Sequence, residues 1–191
     1  MALTHTVDKH IAQLEPGRGL FLGGTWREAT TTFDVHDPGT GQVVAAISDA
    51  TTSEATQAVE AAYAAGPAWR RTPPRERSET LRRTFELMTE DADRLTELIM
   101  LENGKPEPDA RAEVAYAAEF FRWFAEEAVR TSGGYGESPA GGTRTVVTHR
   151  PVGVAALITP WNFPAAMATR KIAPPSRLAA PSWSSRPPRL R

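Results

Sequence analysis

The stretch from Ile158 to Pro164, ITPWNFP, is the part of this chain best suited to chemistry. Pro160 and Pro164 bracket Trp161, Asn162 and Phe163, and each proline fixes its own φ. Asn162 offers an amide NH₂ group, which can donate two hydrogen bonds. Held between rigid residues at the mouth of a strand, that amide can donate to a ligand oxygen. A purely structural turn is the competing reading of the same residues. Arg170 follows in a helix-competent segment and supplies a guanidinium able to grip a carboxylate with two parallel bonds. Its bland alternative is a solvated helix residue. No G-x-G-x-x-G follows Ile158, so the generic dinucleotide fingerprint is absent. The chain has no cysteine, which removes disulfides, thiolate metal sites and any cysteine nucleophile within it. His5, His10, His36 and His149 are scattered without ligand spacing, and no metal site is expected.

The elements that must position these residues can be read outward from the loop. Val152 to Ile158 is a continuous apolar run without alternation, which suits a strand buried on both faces of a parallel sheet. The two prolines force residues 159–164 out of the sheet, and Ala165 to Ile172 is helix-competent. Strand, loop and helix make a βα unit, and ligands in such α/β sheets bind at the carboxyl ends of the strands. Upstream, Leu20 to Trp26, Thr32 to Val35 and Val43 to Ser48 read as strands of a small antiparallel meander, with Asp37 to Gly41 as a tight turn. Thr51 and Glu54 have capping-box spacing. A helical stripe of Ala55, Ala58, Val59, Ala62 and Tyr63 follows, with Gly66-Pro67 as its stop. Thr72-Pro73 starts a second helix with a break near Asp91, ended by Asn103-Gly104-Lys105-Pro106. A third helix carries Ala110, Val114, Ala117, Phe121, Phe124 and Ala128. Thr131 to Gly142 reads as a Gly-rich polar loop, and Arg144 to His149 as a half-exposed strand.

The bulk numbers narrow the class. At 191 residues, 40% hydrophobic and 24% charged, the chain suits one domain or slightly more of a globular protein. A net charge of −1 gives no reason to expect a nucleic-acid partner. No apolar run reaches the roughly 18–20 residues that span a bilayer, and Met1 to Gln13 lacks a signal-peptide core. A cytoplasmic protein without a membrane partner is the expectation.

The run ITPWNFP after an apolar VGVAALI strand resembles a hallmark of the aldehyde dehydrogenase superfamily. FLGGTW at 21–26, DPGTGQVV at 37–44, PAWR at 67–70 and LENGKP at 101–106 match that family in order, and the resemblance covers about Leu20 to Pro174. WFAEEAVR at 123–130 and PAAMATRK at 164–171 resemble the succinate-semialdehyde dehydrogenases in particular. The resemblance implies NAD or NADP as cofactor and a small aldehyde as substrate. In that family a cysteine thiolate attacks the aldehyde, hydride passes to the cofactor, and water releases the acid. It implies that Asn162 is the oxyanion-hole asparagine, a role that can be worth about 3–4 kcal/mol. Ile158, Thr159, Pro160 and Trp161, with Asn162, would line the cofactor cleft, and Phe163 a wall of the aldehyde tunnel. Arg170 would bind the substrate carboxylate, worth about 1.5–3 kcal/mol for a charge-assisted bond. Lys171 is read as structural, and Glu102 and Lys105 are given no catalytic role. Residues 144–150 match the arm through which family members assemble into homo-oligomers. The implied fold is α/β, an incomplete aldehyde-dehydrogenase-like cofactor-binding domain: an N-terminal meander, helices and the start of a parallel sheet. Residues 1–19 form a leading segment, 20–130 the first part of the NAD(P)-binding domain, 131–151 the arm, and 152–173 the first βα unit, with the catalytic domain absent.

From Pro174 to Arg191 the character changes to proline, arginine and serine without an acidic residue. This tail is expected to be disordered. A choice of codons for Pro175 onward, read from the third base, gives LAAGCTVVVKPAAETP, the segment with which the family would continue. A frameshifted tail is therefore the expectation. The family's nucleophilic cysteine and general-base glutamate would lie beyond it, leaving a chain inactive by itself. The contrasting function class is a non-catalytic remnant that at most pairs with intact subunits; the contrasting substrate is another semialdehyde or an aromatic aldehyde.

Overall fold

The computed structural model describes residues 19–177 and the backbone of 182–185; residues 1–18 lie outside the described part. The fold is mixed α/β. Strands β1 (Leu20–Leu22) and β2 (Thr25–Arg27) form one antiparallel pair, and β3 (Thr31–His36) and β4 (Val43–Asp49) another. The expected single strand from Leu20 to Trp26, and with it the meander, is corrected. Gly23 and Gly24 both take positive φ, 59° and 86°, which folds the segment back on itself in the manner of a two-residue hairpin turn. The turn between β3 and β4 forms as expected. The Asp37 carboxylate accepts from the Gly39 N–H at 2.8 Å and the Thr40 hydroxyl at 2.8 Å.

Helix α1 (Thr52–Arg71) begins with the anticipated capping box. The Thr51 N–H donates to Glu54 Oε2 at 2.8 Å, and the Glu54 N–H donates to Thr51 Oγ1 at 3.3 Å. It does not stop at Gly66-Pro67: Pro67 lies inside the helix. A proline there removes its own donor and crowds the Tyr63 carbonyl without ending the helix; the terminator is Thr72, whose ψ of 124° is what a following proline imposes. Helix α2 (Pro74–Glu90) and helix α3 (Ala92–Asn103) break at Asp91, and α4 (Glu107–Ala128) follows the turn closed by Gly104 in the left-handed conformation.

The segment expected as a loop contains a strand. β5 (Gly134–Glu137) pairs antiparallel with β6 (Arg144–Val147), and every residue of both is exposed. Gly141 and Gly142, with φ of 75° and 74°, make the reversal, and β6 then supplies the ladder that the glycine-rich side cannot specify by propensity. β7 (Ala155–Ile158) leads through the ITPWNFP loop into α5 (Pro164–Arg177). β7 is shorter than its apolar run, and it is not buried on both faces. Leu157 is buried, but Val152 is 93% and Ile158 63% exposed. β7 has one ladder partner among the described residues, the parallel strand β8 (Ser182–Ser185), so its other edge is unpaired among them. The tail is thus ordered in part, contrary to expectation. α5 runs through Pro174 and Pro175 to Arg177, although each interior proline costs about 3 kcal/mol. Packing offsets that cost: Ala173 is fully buried and Ile172 lies against the core. The rest of the tail lies outside the described residues.

Helix α4 is the spine. Its buried face presents Ala110, Val114, Ala117, Ala118, Phe121, Ala125 and Ala128. Phe121, Ala125 and Ala128 meet Leu81 of α2 and Ala173 of α5, while Ala110 and Val114 meet Ile99 of α3 and Ala165 of α5. The small residues let α5 lie close against α4, and α5 carries the candidate site at its amino end. No helix among the described residues is long and apolar enough to cross a membrane.

Candidate active site

The loop 159–163 leaves the carboxyl end of β7 and enters α5 at Phe163, whose carbonyl accepts the first helical bond from the Met167 N–H at 3.0 Å. Asn162 is exposed, and its side-chain amide has no bonding partner among the described residues. Trp161 is 52% exposed, and Pro160 and Phe163 are also exposed. Thr159, at 7%, is the buried member of the set. Ile158 is accessible, but its carbonyl is engaged by the Lys171 ammonium, so Lys171 ties the first turns of α5 to the end of β7. Arg170 is exposed on α5. The structure therefore gathers Ile158, Pro160, Trp161, Asn162 and Phe163 at one strand end.

The loop's backbone is held from the turn between α3 and α4. The Asn103 amide donates to the Trp161 carbonyl at 3.2 Å. The Lys105 ammonium donates to the Asn162 carbonyl at 3.3 Å and lies 4.0 Å from the centroid of the Phe163 ring, a cation–π distance. Lys105 also pairs with Glu113, and these side chains are 12% and 0% exposed. The other oxygen of Glu113 accepts from the N–H groups of Ala165 at 3.0 Å and Ala166 at 3.2 Å.

Those two donors would otherwise be orphans at a helix start, where the macrodipole also favours a negative charge. The amino terminus of α5 is thus filled by the chain's own carboxylate and is not open to a phosphate. Breaking a buried pair by deleting one partner costs about 3–5 kcal/mol.

Lys105, given no role from the sequence, and Asn103 and Glu113, not singled out there, are the residues that sequence reasoning missed. One signal was available. Glu113 stands on the inward face of α4 beside Ala110, Val114 and Ala117, and a carboxylate on an apolar stripe needs a buried partner.

The exposed amide on a braced backbone can donate to an oxygen that gains negative charge. Such a donor acts without reorganising at the moment of reaction. The accessible apolar surface of Ile158, Pro160 and Trp161 beside it fits a flat ring system such as a nicotinamide dinucleotide at a strand's carboxyl end. Among the described residues no group of three or more His, Cys, Asp or Glu could hold a metal ion. A cavity of about 220 Å³ lies apart from this loop, between α2 and α4, lined by Phe85, Met88, Val114 and Ala118 among others.

The strand–loop–helix unit thus carries an unengaged amide at its switch point. The model of the aldehyde dehydrogenase family matches residues 26–180, more than half of the sequence, and the chain belongs to that family. The match runs a few residues beyond Pro174, where the sequence alone placed its end. A succinate-semialdehyde dehydrogenase of Paenarthrobacter nicotinovorans is 53% identical over 132 residues, 69% of this chain and 29% of that protein. A glutarate-semialdehyde dehydrogenase of Pseudomonas putida is 47% identical over 159 residues, 81% of this chain and 32% of that protein. The crystal structure of betaine aldehyde dehydrogenase from Staphylococcus aureus in complex with NAD⁺ superposes with a TM-score of 0.88 at 26% identity, covering 94% of this chain and 37% of that one. The chain spans about a third of the length of these proteins.

Proposed function

We propose that the chain carries the oxyanion-stabilising and cofactor-facing part of an NAD(P)-dependent aldehyde dehydrogenase that acts in the cytoplasm on succinate semialdehyde. Another semialdehyde or an aromatic aldehyde is the alternative substrate. The observation that carries this reading is the Asn162 amide, free of partners among the described residues on a backbone whose carbonyl is already engaged. NAD(P)⁺, when bound, accepts the hydride. Asn162 would donate to the aldehyde oxygen as it becomes anionic. Ile158, Thr159, Pro160 and Trp161 would form one wall of the cofactor cleft, and Phe163 would flank the aldehyde. The two semialdehyde dehydrogenases above act, by their names, on aldehydes with a distal carboxylate. The exposed Arg170 guanidinium suits such a group.

With no cysteine, the 191 residues by themselves lack the thiolate that the family reaction uses, and we expect no turnover from them alone. The frameshift reading supplies the test. The gene is sequenced downstream of codon 174, and the longer reading is expressed and assayed for NAD(P)⁺ reduction with succinate semialdehyde. Turnover is expected, with Asn162→Ala lowering kcat by about 10²–10³-fold. A longer reading that is inert, or whose Asn162→Ala variant is unaffected, rejects the proposal. A second reading, a non-catalytic chain that pairs with intact subunits through 144–150, draws on the fully exposed hairpin of β5 and β6. Mixed oligomers without turnover would favour it.

A further inference from the structure

We propose that Lys105 and Glu113 are positioning residues that set the orientation of the Asn162 amide. The inference rests on the reading of Asn162 as a donor to a reacting oxygen, and it names what holds that donor in place.

Asn162 sits at the centre of a short exposed stretch whose neighbours make no regular backbone ladder. The direction of its Cα–Cβ bond, and the rotamers open to it, depend on the peptide planes on both sides. The backbone is fixed at four points, two at the loop and two at the start of α5. The Trp161 carbonyl accepts from Asn103, the Asn162 carbonyl from Lys105, and the Ala165 and Ala166 N–H groups donate to Glu113. The Phe163 ring lies against the same ammonium. All these partners come from one place, the α3–α4 turn and the start of α4. Glu113 joins the two halves: one carboxylate oxygen caps α5 and the other holds Lys105. Lys105 is in turn placed by Gly104. The left-handed φ of 70° there turns the chain sharply, and a Cβ on Gly104 would meet Pro38 Cγ at 2.7 Å. The Asp37–Gly41 turn, the Asn103–Pro106 turn and the ITPWNFP loop are therefore stacked in contact.

A purely structural ion pair would contribute stability without governing the Asn162 side chain. Isotope-labelled full chain separates the two roles by NMR, through the side-chain amide resonances of Asn162, the Phe163 amide nitrogen, and hydrogen exchange at Ala165 and Ala166. In Lys105→Met we expect the Asn162 side-chain and Phe163 signals to shift or broaden while exchange at Val114, Ala117 and Ala118 stays protected. Lys105→Arg should restore the Asn162 signals toward those of the parent. Glu113→Gln keeps an oxygen facing α5 but loses the charge that holds Lys105. There, protection at Ala165 and Ala166 should fall by less than about tenfold while Asn162 moves as in Lys105→Met. Unchanged Asn162 side-chain signals in Lys105→Met overturn the proposal. Should that variant not fold, unchanged signals in Glu113→Gln overturn it equally. No cofactor or aldehyde is present, so this result stands apart from the turnover assay. An inert longer enzyme would sink the proposed activity and leave the brace intact; unchanged signals would do the reverse.

Discussion

Gly104 and Pro38 touch so closely that a single methyl group on the glycine would lie 2.7 Å from the proline Cγ. The contact joins two turns far apart in sequence. Gly104→Ala therefore faces both a left-handed φ that alanine disfavours and a steric clash. We expect a loss of about 1–3 kcal/mol, read as a lower denaturant midpoint with an unchanged slope. A variant as stable as the parent would show that the turns part without cost.

Leu81 belongs to the cluster that joins α2, α4 and α5 and is 3% exposed. Leu81→Ala should cost about 2–5 kcal/mol, a large share of the ~5–15 kcal/mol typical of a domain. Far-ultraviolet circular dichroism during denaturant unfolding measures it. A change below about 0.5 kcal/mol would contradict the packing.

The capping box should make α1 sensitive to Thr51→Ala, by about 0.5–2 kcal/mol. Acid acts on the same feature. The Thr51 N–H, followed by its hydroxyl, holds the Glu54 carboxyl below the usual carboxylate range, and the Gly39 N–H and Thr40 hydroxyl do the same for Asp37. A carboxyl with a depressed folded pKa contributes stability that is complete above its unfolded value and disappears as pH falls through the folded one. Acid titration followed by NMR should show both groups titrating below the range of unstructured peptides. The start of α1 and the β3–β4 turn should loosen over that same interval.

Trp161 is half exposed at the proposed cofactor wall. Adding NAD⁺ or NADP⁺ to the full chain should quench part of the tryptophan emission, and Trp161→Phe should abolish the saturable component. Quenching of equal amplitude in that variant would move the cofactor away from this loop.

Val146, Val152 and Ile158 are strongly exposed apolar residues on or beside strands, and among the described residues β6 has one unpaired edge. Such surfaces promote association. Sedimentation of the isolated chain should show mass rising with concentration, and a lysine at Val146 should reduce it. A monodisperse monomer at high concentration would refute this.

Much of the local structure was legible because its causes are local. The Thr51–Glu54 cap, the Asp37–Gly41 turn, the break at Asp91, the helix stop at Asn103-Gly104-Lys105-Pro106 and the inward stripe of α4 each depend on residues within a few positions of one another. ITPWNFP was legible for the same reason: its prolines exclude it from any central strand. Propensity misled where a distant partner decided the outcome. The glycine-rich segment at 134–137 became a strand because β6 paired with it. Pro67 and the Pro174-Pro175 step were absorbed into helices, the latter where Ala173 and Ile172 seat α5 against the core.

What the residues themselves determined is the βα unit, the amide at its switch and, through ITPWNFP and the motifs collinear with it, the family, since each follows from side-chain type and short-range spacing. Tertiary structure alone decided how that amide is held. The Lys105–Asn162 and Asn103–Trp161 bonds span 57 and 58 positions, and the Glu113 cap on Ala165 spans 52. Bonds of that reach exist only once α4 and α5 have packed together, because the loop-closure entropy they require is met by burying the small-residue faces of both helices.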